Sequence, residues 1–312
     1  MSVDQAAPLV SDEGLRRPDN FRGLVLMALA FALFAASDAQ VKLLTSEFHP
    51  VQIVWTRQLG LLSGVIVLLM VKGTEILATS HLGLQLLRGM LAVTSAAAFI
   101  SGLKYVPLAD AVSVTFLAPL LVTIFSALLL KEKVGPKRLI AVAIGFVGTL
   151  IVIRPGFGQV HPAVMLVVLA ATAFALRQVV SRLLAGSDRT ATTVAYTAIA
   201  SFAMLSLPLA FFWQTPETGR QIALLAGMAV TAALGELMVI KALEIAEASV
   251  VTPMHYTLII WATLYGWLLF GHLPDMWTWV GAAIIIATGL YIMNRERMLR
   301  RASAKSATVS GR

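Results

Sequence analysis

Between Leu103 and Gly156 two apolar runs flank a short charged knot, Lys131-Glu132-Lys133 to Lys137-Arg138. Each run is about 20 residues long, and at roughly 1.5 Å of rise per residue a helix of that length crosses a hydrocarbon core of about 30 Å. The stretch therefore reads as a transmembrane helical hairpin with a basic turn. A second version of it lies 140 positions further on, where Leu103, Thr123, Leu128, Ala143 and Leu150 fall on Leu243, Thr263, Leu268, Ala283 and Leu290. The second copy lacks the basic knot. Composition agrees with a bilayer as the solvent: 58% of the chain is hydrophobic and only 13% charged, against about 25% charged in a soluble domain.

Hydropathy gives ten spans, roughly 21–43, 50–72, 85–104, 108–130, 136–154, 162–184, 190–213, 220–244, 248–270 and 276–294. The polar stretch 1–20 lacks the apolar core of a signal peptide and reads as a disordered cytoplasmic tail. The net charge of +8 does not indicate nucleic acid, because the basic residues gather in tails and short loops. With the N-terminus inside, the inner segments hold Arg16, Arg17, Arg22, the 131–138 knot, Arg189, Lys241 and the basic tail 295–312, whereas the outer ones hold only Lys42, Lys104, Arg154 and Arg220. By the positive-inside rule both termini are expected in the cytoplasm. The 140-residue offset also maps Phe34, Ala35, Leu43 and Leu44 onto Phe174, Ala175, Leu183 and Leu184. The expected fold is therefore an all-α integral membrane protein of ten transmembrane helices, built as two five-helix repeats, 21–154 and 162–294. Five is odd, so the second repeat is inverted, as in many secondary transporters. The second repeat's counterpart of the knot, at 271–275, becomes an outer loop and has no Lys or Arg.

Several motifs resemble the drug/metabolite transporter superfamily, specifically its ten-span EamA branch. They are Arg88-Gly89, Tyr105-Val106-Pro107-Leu108-Ala109-Asp110-Ala111, Leu117-Ala118-Pro119, Leu130-Lys131-Glu132-Lys133, Gly145-Phe146-Val147-Gly148, Ala246-Glu247-Ala248-Ser249, Gly281-Ala282-Ala283, and Pro50 followed by Arg57. The resemblance implies a central cavity between the repeats, alternating access, and contact between spans six and eight. Members of similar pattern include amino-acid and metabolite exporters and importers of S-adenosylmethionine or riboflavin.

Ionisable groups inside a span mark a pathway or an internal pair. Asp38 and Arg57 lie at similar depth in the outer halves of spans one and two, as a gate, a substrate contact or a structural ion pair; a pair with one face in the cavity serves all three. Arg177 and Glu236, in spans six and eight, form a similar set displaced toward the cytoplasm, and Gln178 is the repeat equivalent of Asp38. Span four offers Ser113 and Phe116, and span nine His255 and Tyr256. Phe116 and Tyr256 are repeat equivalents that stack on a flat substrate or simply pack helices. His255, the only histidine deep in a span, is a proton carrier or a neutral packing residue. Tyr196 and Trp261 add aromatic surface. Pro119 is expected to kink span four, and small residues such as Gly145 and Gly235 to admit close helix approach.

No phosphate loop, no metal-ligand spacing and no catalytic triad is present in the sequence, and no cofactor is expected. The expected partners are a small-molecule substrate and the lipid bilayer, not nucleic acid, with a homodimer compatible. The cavity composition suits a planar or zwitterionic metabolite, with a riboflavin-like or S-adenosylmethionine importer of the inner membrane first, an exporter of amino acids or drugs second, and an intramembrane enzyme as the alternative of a different class.

Overall fold

The computed structural model describes residues 19–131, 135–154, 161–184 and 187–310. The tail 1–18 and the middle of the basic knot, Glu132 and Lys133, lie outside the described residues. The described elements are all helical: α1 (Asn20–Leu44), α2 (Pro50–Lys72), α3 (Leu82–Leu103), α4 (Leu108–Thr115), α5 (Ala118–Leu129), α6 (Pro136–Ile153), α7 (Val164–Leu184), α8 (Thr190–Phe212), α9 (Gly219–Ile245), α10 (Ala248–Val251), α11 (Leu258–Phe270) and α12 (Met276–Ser310). Eight segments are long and apolar enough to cross a bilayer unaided, with α4 and α5 counted together. The other two spans are α6, whose apolar part is Leu139–Ile153, and α11, which is extended by α10 and a 3-10 turn over Thr252–Thr257. Outward-facing Val67, Met70, Leu128, Leu207 and Phe211 are all exposed. In water such a surface would be a liability, and in lipid it is the solvated face.

The face at which α1 begins is called proximal here and the opposite face distal. Helix packing obeys the exchange of repeats. The main partner of α1 is α9 and that of α3 is α7, which are equivalent pairs; α2 packs on α8 and α6 on α12, each pair mapping onto itself. Contacts of α1 with α11 are mirrored by those of α7 with α5. The inverted repeat, read from scattered sequence matches, thus governs the whole bundle. Spans six and eight, α7 and α9, do not form a principal packing pair, because each lies against its partner from the other repeat.

Glycine sets the closest approach. A Cβ on Gly281 of α12 would lie 2.5 Å from the carbonyl oxygen of Gly148 in α6, so these helices touch backbone to backbone. Span four breaks at Phe116 and Leu117, whose N–H groups donate to Ser113 and Val114 in tighter 3-10 fashion. The cause is Pro119, which cannot donate an N–H to the preceding turn. Span nine breaks at the equivalent level, in the 3-10 turn that carries Pro253 and ends with Tyr256 and Thr257. Both repeats therefore interrupt their fourth helix near mid-bundle, the arrangement in which transporters place a binding site.

Candidate functional site

Two adjoining cavities occupy the interior. The larger, 580 Å³, lies in the proximal half between α1, α5, α7, α9, the 3-10 turn and α12; it includes Phe31, Thr123, Gln178, Ser181, Arg182, Thr252, Tyr256 and Met293. The smaller, 300 Å³, reaches mid-bundle and is lined by Asp38, Arg57, Ser95, Phe99, Thr115 and Arg177 among others. Pro119, Phe174 and His255 line both, so the helix break of span four stands where the two meet. Their volumes fall within the range of metabolite pockets, about 300–1,000 Å³.

At the inner end, Arg57 Nη1 donates to Asp38 Oδ1 at 2.9 Å. The side chains keep 21% and 9% of their exposure, so the pair holds α1 to α2 while presenting one edge to the cavity. Opposite, the Arg177 guanidinium lies over the Phe174 ring, 4.7 Å from its centroid. Arg177 and Glu236 are within electrostatic reach of each other, but no ion pair or hydrogen bond joins them among the described residues. Arg88 of α3 also feels both. Its Nε donates to Ser181 Oγ at 2.8 Å and its Nη1 to the Thr193 carbonyl and the Thr197 hydroxyl.

The rings behave in part as the sequence suggests. Phe116 and Tyr256 meet across the repeat interface with centroids 5.2 Å apart, edge to face. They touch each other, so no slot for a planar ring lies between them in this conformation. Phe116 is fully buried and lines neither cavity. Tyr256 lines the larger one, its hydroxyl seated against Gly289, where any side chain would collide with it. His255 packs edge-on against Phe31 at 4.9 Å and Phe116 at 5.6 Å. Four other expected residues lie outside both cavities. Ser113 is buried and bonds back to the Ala109 carbonyl; Tyr196 donates to the Leu77 carbonyl near the proximal face; Trp261 packs on the core; Glu236 is half-buried on α9. Sequence gives depth along a span but not azimuth, and these four point elsewhere. Phe174, Ser181 and Arg182 line the cavities without having been singled out as cavity residues in the sequence. Phe174 and Arg182 carried a signal, since they are the repeat equivalents of Phe34 and Lys42.

The distal half is tied together. Lys42 Nζ donates to the Leu103 and Val106 carbonyls at 2.7 and 2.6 Å. Arg154, at the end of α6, pairs with Asp275, before α12, at 2.6 Å. Gln52 of α2 exchanges two hydrogen bonds with the backbone of Gln214, and Glu47 holds Arg220 and Gln221. Asp275 lies outside the spans. Burial works against its charge, but hydrogen bonds from Thr278 and the Arg154 guanidinium outweigh that and hold its carboxyl below the usual carboxylate range.

An inverted ten-helix bundle with broken fourth helices and a central, mostly apolar cavity that carries a few polar and charged side chains defines a secondary-transporter architecture. The chain belongs to the EamA-like transporter family, whose pattern matches residues 21–154 and again 161–295. It is thus a transporter-family membrane protein rather than an enzyme. Among curated relatives, the "S-adenosylmethionine uptake transporter" of Rickettsia felis is 27% identical over 88% of this chain and 93% of its own length. The "Riboflavin transporter" of Vibrio cholerae is 35% identical over 70% of this chain and 74% of its own. The "Pseudopaline exporter CntI" of Pseudomonas aeruginosa is 27% identical over 88% and 97%. A solved crystal structure aligns with a TM-score of 0.61 at 18% identity, covering 89% of this chain and 98% of that one, and supports the fold alone.

Proposed function

We propose that this protein imports a small organic metabolite of the S-adenosylmethionine or riboflavin kind across the inner membrane by alternating access, with both termini in the cytoplasm. The observation that carries this reading is the pair of cavities running from the proximal half to the Asp38–Arg57 pair, beneath a distal half held by cross-span bonds. In this reading the proximal face is cytoplasmic and the conformation is the inward-facing one. Asp38 and Arg57 form the inner wall, Arg177, Gln178 and Tyr256 contact the substrate, and His255 stands at the constriction. Substrate enters when the distal ties part and leaves through the larger cavity. The Lys/Arg asymmetry supports the orientation.

The test is uptake of radiolabelled S-adenosylmethionine and of riboflavin into proteoliposomes, with a reporter fused after Arg295 to fix the orientation. Saturable uptake of either compound is expected, and reporter activity on the cytoplasmic side. Failure of both compounds, or a reporter active only outside, rejects the reading. The relative named an exporter favours a second reading, export of an amino acid or similar metabolite. Counterflow from preloaded vesicles separates the two directions.

A further inference from the structure

We propose that Arg177 is the anion subsite of the cavity and that the transported compounds carry a carboxylate, which this guanidinium grips. The inference rests on the transporter reading above and narrows its substrate class.

Three observations meet here. First, Arg177 lines the mid-bundle cavity, yet its fully buried Nε has no hydrogen-bond partner, and its guanidinium makes no ion pair among the described residues. Its one contact of note is with the Phe174 ring. A guanidinium whose Nε is buried without a partner is costly, and the cost is offset when a ligand supplies the acceptor. Second, the neighbouring charges do not cancel. Asp38 and Arg57 neutralise each other; Arg88 and Arg177 share Glu236, and with all three ionised two positives less one negative leave one positive. A substrate carboxylate seated at Arg177 fits that local excess, whatever charge the rest of the substrate carries. Third, Arg88 already spends its donors on Ser181, Thr193 and Thr197, so the open fork belongs to Arg177. A guanidinium matches a carboxylate with two parallel N–H···O bonds, and the Phe174 ring holds the guanidinium by its face.

The class so defined includes S-adenosylmethionine and the amino acids, and excludes riboflavin, which has no carboxylate. The experiment measures binding to the full chain in lipid nanodiscs with matched pairs: S-adenosylmethionine against its decarboxylated form, and L-tryptophan against tryptamine. The acid of at least one pair should bind about tenfold or more tighter than its amine, as expected for a charge-assisted fork. In Arg177→Gln that preference should shrink to within about twofold, with the acid losing more than the amine. An acid preference that survives Arg177→Gln, or amines that bind as well as acids in every pair, overturns the subsite. Should Arg177→Gln fail to fold, phenylglyoxal labelling of the wild type replaces it: Arg177 should be modified, and the acid but not the amine should slow the modification. No labelling, or equal protection by both, also overturns it. Riboflavin uptake with no binding of any acid would leave the transporter standing and remove the carboxylate subsite.

Discussion

The two repeats place the same positions at opposite depths, but not the same chemistry. In the distal half Asp38 and Arg57 form a direct ion pair. Their equivalents in the proximal half are Gln178 and Thr197, both neutral. Thr197 is met by a cation from a different span: Arg88 of α3 reaches Thr197 and Ser181 through hydroxyl hydrogen bonds, and the carboxylate of that network, Asp188, takes its bonds from the neutral Thr79 and Gln85 rather than from Arg88. A fold that is symmetric in backbone is thus unsymmetric in charge. An ion pair in low dielectric resists separation more than hydrogen bonds to neutral hydroxyls do. The distal half is therefore held by the stronger tie, in keeping with cavities that widen toward the proximal face.

The largest effect should come from breaking the distal pair. Asp38→Asn or Arg57→Gln alone leaves one uncompensated charge, a loss of about 3–5 kcal/mol for a buried pair. Uptake should fall by at least about a hundredfold, given tenfold per 1.4 kcal/mol, and the double neutral variant should recover folded protein. Wild-type uptake by both single variants would show that the pair does not hold the distal half.

Next come the repeat-equivalent rings. Phe116→Ala removes a fully buried ring and should cost about 3–5 kcal/mol of stability, read as a lower melting temperature in nanodiscs. Tyr256→Ala, at the cavity wall, should instead raise the half-saturating concentration about tenfold or less, and Tyr256→Phe should do so more mildly. Equal melting behaviour of the two alanine variants would contradict the assignment of one ring to the core and the other to the cavity.

A smaller effect is expected at the Arg154–Asp275 tie, whose carboxylate is nearly half exposed. The chain contains no cysteine, so Ser95→Cys, on the central cavity, gives a single thiol probe. Adding Arg154→Gln should raise its labelling from the distal side several-fold, in line with about 0.2–1 kcal/mol for an exposed pair. The tie should also weaken on acidification, read as a lower melting temperature in nanodiscs. Because the folded value of Asp275 is depressed, its contribution is complete above the unfolded value of about 3.9 and is lost as pH falls through the lower folded one. Labelling that ignores Arg154→Gln would exclude the tie from the distal closure. The smallest effect sharpens the contrast. Gln178→Asp places a carboxylate at the mirror position of Asp38, on the wall of the larger cavity, and should slow uptake about two- to threefold, as an added charge-assisted bond implies. An unchanged rate would mean that the charge asymmetry does not set the pace of proximal release.

Much of this arrangement was legible in the sequence. Ten spans and the inverted repeat follow from apolar length and the 140-residue offset, since lipid demands both. Asp38 and Arg57 stood out because ionisable residues are rare in spans, and Pro119 announced the break of span four. The break of span nine was not foreseen: Pro253 precedes its break where Pro119 follows the other, and the apolar run continues through it. Arg177 and Glu236 were expected to pair, but depth along the membrane does not fix which way a helix face turns. The helices α7 and α9 each lie on a partner from the other repeat, and the guanidinium is left open. Tyr196 and Trp261 missed the cavity for the same reason.

The backbone contact between Gly148 and Gly281 has a consequence in entropy. Glycine has no rotamers to lose, so bringing α6 against α12 there carries none of the side-chain ordering cost that the Met- and Leu-lined walls of the cavity incur. By the same token the joint has no rotamers with which to absorb a displacement. The α6–α12 seam is a hard contact between two rigid rods, whereas the central cavity is walled by side chains that can re-pack.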